Sequence, residues 1–88
     1  MAEYRIIVKP SVDKALRKLP VDVQNRLVAA MRALAANPRQ VGVVKMKGAE
    51  KQWRIRVSDY RIVYEIHDTE IMVCVLAIGH RKDIYRKF

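Results

Sequence analysis

From Tyr4 to Lys9 the chain reads YRIIVK, a β-rich run closed by Pro10, which predicts a first strand. Beyond that proline the apolar positions change period. Val12, Ala15, Leu16 and Leu19 are spaced three, one and three residues apart, the stripe of an amphipathic helix with Ser11 as its N-cap. Pro20 interrupts it. A second stripe follows, with Val23, Leu27, Ala30, Met31 and Leu34 on one face, in a segment whose alanines favour helix. Asn37-Pro38 ends that segment. Two helices joined at a proline form a helical hairpin with both stripes turned to a common surface.

After Pro38 the period drops to two. Val43–Lys47 predicts a short edge strand ended by Gly48, and longer strands are expected over Gln52–Val57, Tyr60–His67 and Glu70–Ile78. The connections Ser58-Asp59 and Asp68-Thr69 have the length of tight hairpin loops. A two-residue loop at Ser58-Asp59 fixes the pairing: Val57 with Tyr60, Arg56 with Arg61, Ile55 with Ile62, Arg54 with Val63 and Trp53 with Tyr64. Cross-strand partners share a face of the sheet, so Trp53, Ile55, Val57, Tyr60, Ile62, Tyr64 and Ile66 gather on one side. Ile71, Val73, Val75 and Ala77 are expected to extend that surface, and the helical hairpin must pack on it. The expectation is a single α+β domain over residues 1–88. It has an antiparallel sheet of about four strands, two helices on one face and a short helical turn within Lys82–Phe88.

The other face collects Arg54, Arg56 and Arg61, with Val63, Glu65, Met72, Cys74, Leu76 and Ile78 around them. Like charges directly opposite each other repel, so Arg56 facing Arg61 is unfavourable unless something anionic lies over the pair. Glu65 is a partial counterweight, but one carboxylate does not balance three guanidiniums. Arginine's planar fork suits bidentate contact with phosphate. Continuing the alternation past Ile78 puts His80 on this face, and Arg81, Lys82, Tyr85, Arg86 and Lys87 follow at once. Guanidiniums for the backbone and an aromatic ring for unstacked bases suit RNA as much as DNA.

Charge strengthens this picture. Eighteen Lys and Arg against nine Asp and Glu give a net +9, which implies an acidic partner, most often nucleic acid. The single cysteine, Cys74, lies between Val73 and Val75; it reads as a buried strand residue and not a catalytic thiol. One cysteine makes no internal disulfide, and a cytoplasmic location is expected. The longest apolar run, Ile71–Ile78, is far short of the ~20 residues that span a bilayer. The start MAEYRIIVKP carries no signal-peptide pattern, so a soluble protein without a membrane partner is expected. No cofactor motif is present, and His67, at a turn, reads as solvated.

The order strand–helix–helix–strands, carrying QWRIRVSDYRIVYEI and then IGHRKDIY, resembles the RelE family of bacterial and archaeal toxins over essentially the whole chain. That family sits within the wider RelE/ParE superfamily of type II toxin–antitoxin systems. The resemblance implies a ribosome-dependent mRNA interferase. Such an enzyme enters the ribosomal A site and cuts the messenger by attack of a ribose 2′-hydroxyl on the adjacent phosphate, without a metal. It also implies an acidic, RelB-like antitoxin, with operator DNA reached only through the toxin–antitoxin complex. The family's basic positions before the turn fall on Arg54 and Arg56, the arginine after it on Arg61, the arginine after the strand-ending glycine on Arg81, and the C-terminal tyrosine on Tyr85.

The expected roles follow from that mapping. Arg56 and Arg61 clamp the scissile phosphate, Arg81 supports the leaving oxygen, and Tyr85 stacks on or orients a base. Arg54, Lys45, Lys47, Lys82 and Arg86 hold RNA around them. Well-known members carry lysines at the two positions before the turn, one of them a proposed general base. Arginine, protonated at any ordinary pH, cannot serve as one. Either the contribution of a base is small or another group supplies it, and His80 is then the candidate proton acceptor, since histidine titrates near neutrality. The alternative is a ParE-like toxin that inhibits DNA gyrase and cleaves no RNA. A plain nucleic-acid-binding module would need base-reading side chains on a helix, and neither predicted helix shows an obvious set.

Overall fold

The computed structural model describes residues 3–40, 42–46 and 52–82. Strand β1 (Arg5–Val8) leads into helices α1 (Pro10–Arg17) and α2 (Val21–Ala36). Strands β2 (Val44–Lys45), β3 (Gln52–Val57), β4 (Tyr60–His67) and β5 (Met72–His80) follow. The five strands form one sheet in the order β1-β5-β4-β3-β2, one more than the four or so expected. β1 runs parallel to β5 and every other pairing is antiparallel. The C-terminal helical turn expected beyond Lys82 lies outside the described residues.

Local chemistry sets the helix boundaries. Lys9, with φ −61° and ψ 145°, is the N-cap of α1, and Pro10 takes the first helical position. Proline's fixed φ suits that position and its missing N–H would be unpaired there anyway. Ser11, expected from the sequence as the N-cap, is therefore inside the first turn instead. The Lys9 carbonyl accepts from the Val12 and Asp13 N–H groups at 2.9 and 3.1 Å. At the junction with α2, the Gln24 side-chain amide donates to the Leu19 carbonyl at 2.7 Å and closes the end of α1.

The core lies between the helices and one face of the sheet. Val12, Leu27, Met31 and Leu34 pack against Ile62, Tyr64, Ile66, Val73, Val75 and Ile78. Tyr64 is fully buried, and its hydroxyl donates to the Pro38 carbonyl at 2.7 Å. Burial pushes this phenol up to about 12, so it remains a protonated donor.

A second polar tie joins distant segments. The Asp68 carboxylate accepts the Tyr4 hydroxyl at 2.7 Å and both terminal nitrogens of Arg39 at 3.0 and 2.8 Å. Arg39 also lies over the Trp53 ring, 5.5 Å from its centroid. The Arg39 bonds, then the Tyr4 bond, hold the Asp68 carboxyl down at about 2, below its unfolded value. A depressed carboxyl stabilises the fold above its unfolded pKa, and that contribution is lost as pH falls through the folded one. The thermal midpoint should therefore drop between about pH 4 and about pH 2. Asp68→Asn should flatten that part of the profile, with a modest effect that salt reduces, because the pair is exposed. Thermal scans of both proteins from pH 2 upward check this.

The second hairpin departs from expectation. His67 pairs with Met72, so four residues connect the strands where two were expected at Asp68-Thr69. Ile71 adopts a left-handed φ of 52° and is 41% exposed, so it is not part of the core surface. Further along, Val63 pairs with Ala77 but Tyr64 pairs with Val75, leaving Leu76 as an extra residue in β5. Such a bulge reverses which face the following residues occupy. Ala77, expected in the helix-side core, packs with Val63 on the other face. Ile78, expected among the arginines, is buried in the core beneath the helices.

Candidate anion-binding site

The first hairpin follows its predicted register throughout, and Arg56 stands directly opposite Arg61. Both lie on the face away from the helices. Arg54, Arg56 and Arg61 line an open cleft of about 200 Å³ together with Gly42 and Val44 of the preceding loop and edge strand. Gly42 has φ 96°, and a Cβ added there would meet nothing within 4 Å. Its backbone conformation, and not lack of room, is what calls for glycine beside the cleft.

The loop between these strands has positive φ only at its first residue, Ser58 (54°), as in a type II′ turn with serine where glycine is usual. The Ser58 carbonyl accepts from Arg56 Nε at 3.4 Å and from an Arg61 terminal nitrogen at 3.3 Å. That same nitrogen of Arg61 also donates to the Tyr60 carbonyl at 3.1 Å. Two guanidiniums thus share one neutral oxygen at the long end of hydrogen-bond range. The carboxylate pairs with arginine among the described residues are Asp13–Arg17, Asp68–Arg39 and Asp59–Arg81; none includes Arg56 or Arg61. Glu65, expected to temper the arginines, bonds the His67 ring at 3.1 Å, and His67 is half-buried and not freely solvated.

Arg81 is fixed at the tip of the same hairpin. Its N–H donates to the Asp59 carbonyl at 2.7 Å, and its guanidinium stands 3.9 Å from the Asp59 carboxylate. Lys82 is exposed beside it. Lys45, expected to contact RNA, pairs with Trp53, so it lies on the helix side of the sheet and away from the cleft. Lys47, Tyr85 and Arg86 lie outside the described residues. Cys74 is half-buried, not buried as expected. Among the described residues, no cluster of three or more His, Cys, Asp or Glu side chains is placed to hold a metal ion.

His80 is the main correction. The bulge at Leu76 pairs it with Tyr60, so it faces the helix side of the sheet, opposite the arginine pair. Its ring meets Tyr60 edge-on with centroids 5.6 Å apart. Nδ1 accepts the Lys82 N–H at 3.2 Å, which leaves the Nε2 position for the proton of the neutral ring. The basic lone pair is occupied, and it does not look into the cleft.

Two arginines outside the sequence-derived set tie opposite ends of β4 to the rest of the fold. Arg39 closes the Asp68 tie, and Arg26 of α2 donates to the Ser58 hydroxyl at 3.4 Å. Neither lies near the hairpin in sequence, so only the packing of α2 and its following loop against the sheet could reveal them.

A family model described as the ParE toxin of the type II toxin–antitoxin system parDE matches residues 6–85. Toxin RelG of Mycobacterium tuberculosis is 29% identical over 85 residues, covering 96% of this chain and 98% of that protein. The archaeal RelE–RelB complex of Pyrococcus horikoshii contains a chain with TM-score 0.79 and 26% identity, covering 90% of this chain and 96% of that one. A mutant Escherichia coli toxin RelE in the free state has TM-score 0.78 and 26% identity, covering 97% and 90%.

Proposed function

The chain belongs to the ParE toxin family of type II toxin–antitoxin systems, within the RelE/ParE superfamily, and we propose that it acts in the RelE manner, as a metal-independent endoribonuclease that cuts messenger RNA in the ribosomal A site and so inhibits translation. The observation that supports this most is the Arg56–Arg61 pair. It is held opposed on the helix-free face, shares one neutral carbonyl and has no carboxylate ion pair among the described residues. A fold keeps two opposed guanidiniums in such a place at a cost, and a bound phosphate offsets that cost.

In this reading the scissile phosphate enters the cleft and its non-bridging oxygens take the donors of Arg56 and Arg61. The ribose 2′-oxygen attacks phosphorus, the bond to the 5′-oxygen breaks, and that oxygen takes a proton from solvent, leaving a 2′,3′-cyclic phosphate and a 5′-hydroxyl. Charge building on the phosphoryl oxygens is stabilised by donors already in position. Arg81, anchored to Asp59, supports the departing oxygen, and Arg54 and Lys82 hold flanking backbone. Lys47, Tyr85 and Arg86 keep their roles as RNA contacts, while Lys45 serves only outside the cleft. With His80 turned away, the 2′-hydroxyl proton goes to solvent, and most of the acceleration comes from charge stabilisation and orientation. His80→Ala should then retain cleavage within about threefold, whereas a general base contributes about 10²–10⁴. Cleavage rates of the two proteins on programmed ribosomes decide the point.

The partner in the cell is a cognate, acidic, RelB-like antitoxin, as relatives solved as RelE–RelB complexes suggest. It neutralises the toxin, operator DNA is met only through that complex, and action on translated messenger puts the toxin in the cytoplasm. Primer extension on messenger from expressing cells tests the reading. Cuts within codons that vanish when translation is blocked are the expected result. Arginine at both positions before the turn, where lysines are usual, favours the rival reading of gyrase inhibition. Lost supercoiling by purified gyrase with intact messenger would establish that reading instead.

A further inference from the structure

The turn that carries the arginine pair has a second side, facing α2. There the Ser58 hydroxyl accepts from Arg26, while the carbonyl of the same residue accepts from Arg56 and Arg61. Three guanidiniums from both sides of the sheet therefore converge on one residue. Arg26 forms no ion pair among the described residues. Its bond of 3.4 Å is long enough for a better acceptor to replace it. Beside it lies a recess of about 150 Å³, walled by Val23, Leu27, Val57 and Tyr60 and rimmed by Arg26 and Asp59.

We propose that this recess takes the base of a nucleotide flanking the phosphate held by Arg56 and Arg61, and that Arg26 holds that nucleotide's own phosphate. The inference rests on the RNA-cutting reading and adds a second subsite to it. Size supports it, because the recess is smaller than the ~300 Å³ at which drug-sized ligand pockets begin and suits a single flat ring system. Its chemistry supports it too. Aliphatic walls with one aromatic ring take an unstacked base by its faces, and a guanidinium at the rim suits the phosphate that must accompany it. Connectivity is the third support, since Ser58 alone separates the two cationic groups. A strand bent over the hairpin tip passes from one to the other within about one nucleotide.

The test uses methyl and arginine side-chain NMR spectra of the purified protein, titrated to millimolar concentrations with a 2′-O-methyl trinucleotide or with inorganic pyrophosphate. The trinucleotide should shift the Val23, Leu27 and Val57 methyls together with the Arg56 and Arg61 signals; pyrophosphate should shift only the arginines. Val23→Phe, which fills the recess, should weaken trinucleotide binding about tenfold and leave pyrophosphate binding unchanged. Arg26→Ala, a surface change with no demand on folding, should weaken the trinucleotide about threefold to tenfold. Arginine shifts with silent methyls, or methyls that respond equally to pyrophosphate, would overturn the base subsite while leaving the phosphate cleft standing. Silence at every one of these groups would overturn both.

Discussion

Arg61→Ala should lower cleavage of translated messenger by about 10² to 10³-fold, the loss seen when one pre-positioned donor is removed from a developing oxyanion. Arg61 is the stronger of the opposed pair. It is half-buried, and two carbonyls, of Ser58 and Tyr60, already aim its guanidinium. Arg56 is exposed and has one long bond, so Arg56→Ala should cost less. The stability readout separates function from structure. Opposed like charges destabilise a hairpin by about 0.2–1 kcal/mol, so Arg61→Ala should leave the thermal midpoint unchanged or raise it. Activity lost while stability is kept or gained is the signature of a residue retained for chemistry. Cleavage within tenfold of the parent, or a midpoint lowered by several degrees, would remove Arg61 from the centre of the site.

The first hairpin was legible in the sequence because polar and apolar residues alternate through Trp53–Val57 and resume over Tyr60–Ile62, and the loop has the shortest common length. Alternation and loop length agree there on one register, and the arginine pair follows from it. The second hairpin offers no such agreement. Every residue from Ile71 to Ile78 is apolar, so shifting the faces by one residue leaves the pattern unchanged. The extra residue at Leu76 was therefore invisible, and His80, four positions on, inherited the error. Helix faces were readable because Leu27, Met31 and Leu34 keep one period and all reach the core. The tie among Tyr4, Arg39 and Asp68 joins three segments far apart in sequence, and no local pattern marks it.

Salt supplies the other large effect. If Arg54, Arg56 and Arg61 each meet a phosphate, raising salt from about 50 to 200 mM should weaken binding of a 2′-O-methyl RNA oligonucleotide about twentyfold, because single-stranded RNA loses about 0.7 logarithmic units of affinity per contact for each tenfold rise in salt. Overall charge alone also attracts RNA, since a net +9 acts at a distance until screening shortens its reach to about 10 Å. Slopes of variants separate the two sources. Arg61→Ala should reduce the slope by about 0.7, one full contact. Arg17→Ala removes the same formal charge from an exposed helix position already paired with Asp13, and should reduce it far less. Equal reductions would mean that the RNA senses only the total charge, and the opposed arginines would then have no more claim to the phosphate than any other cation on the surface.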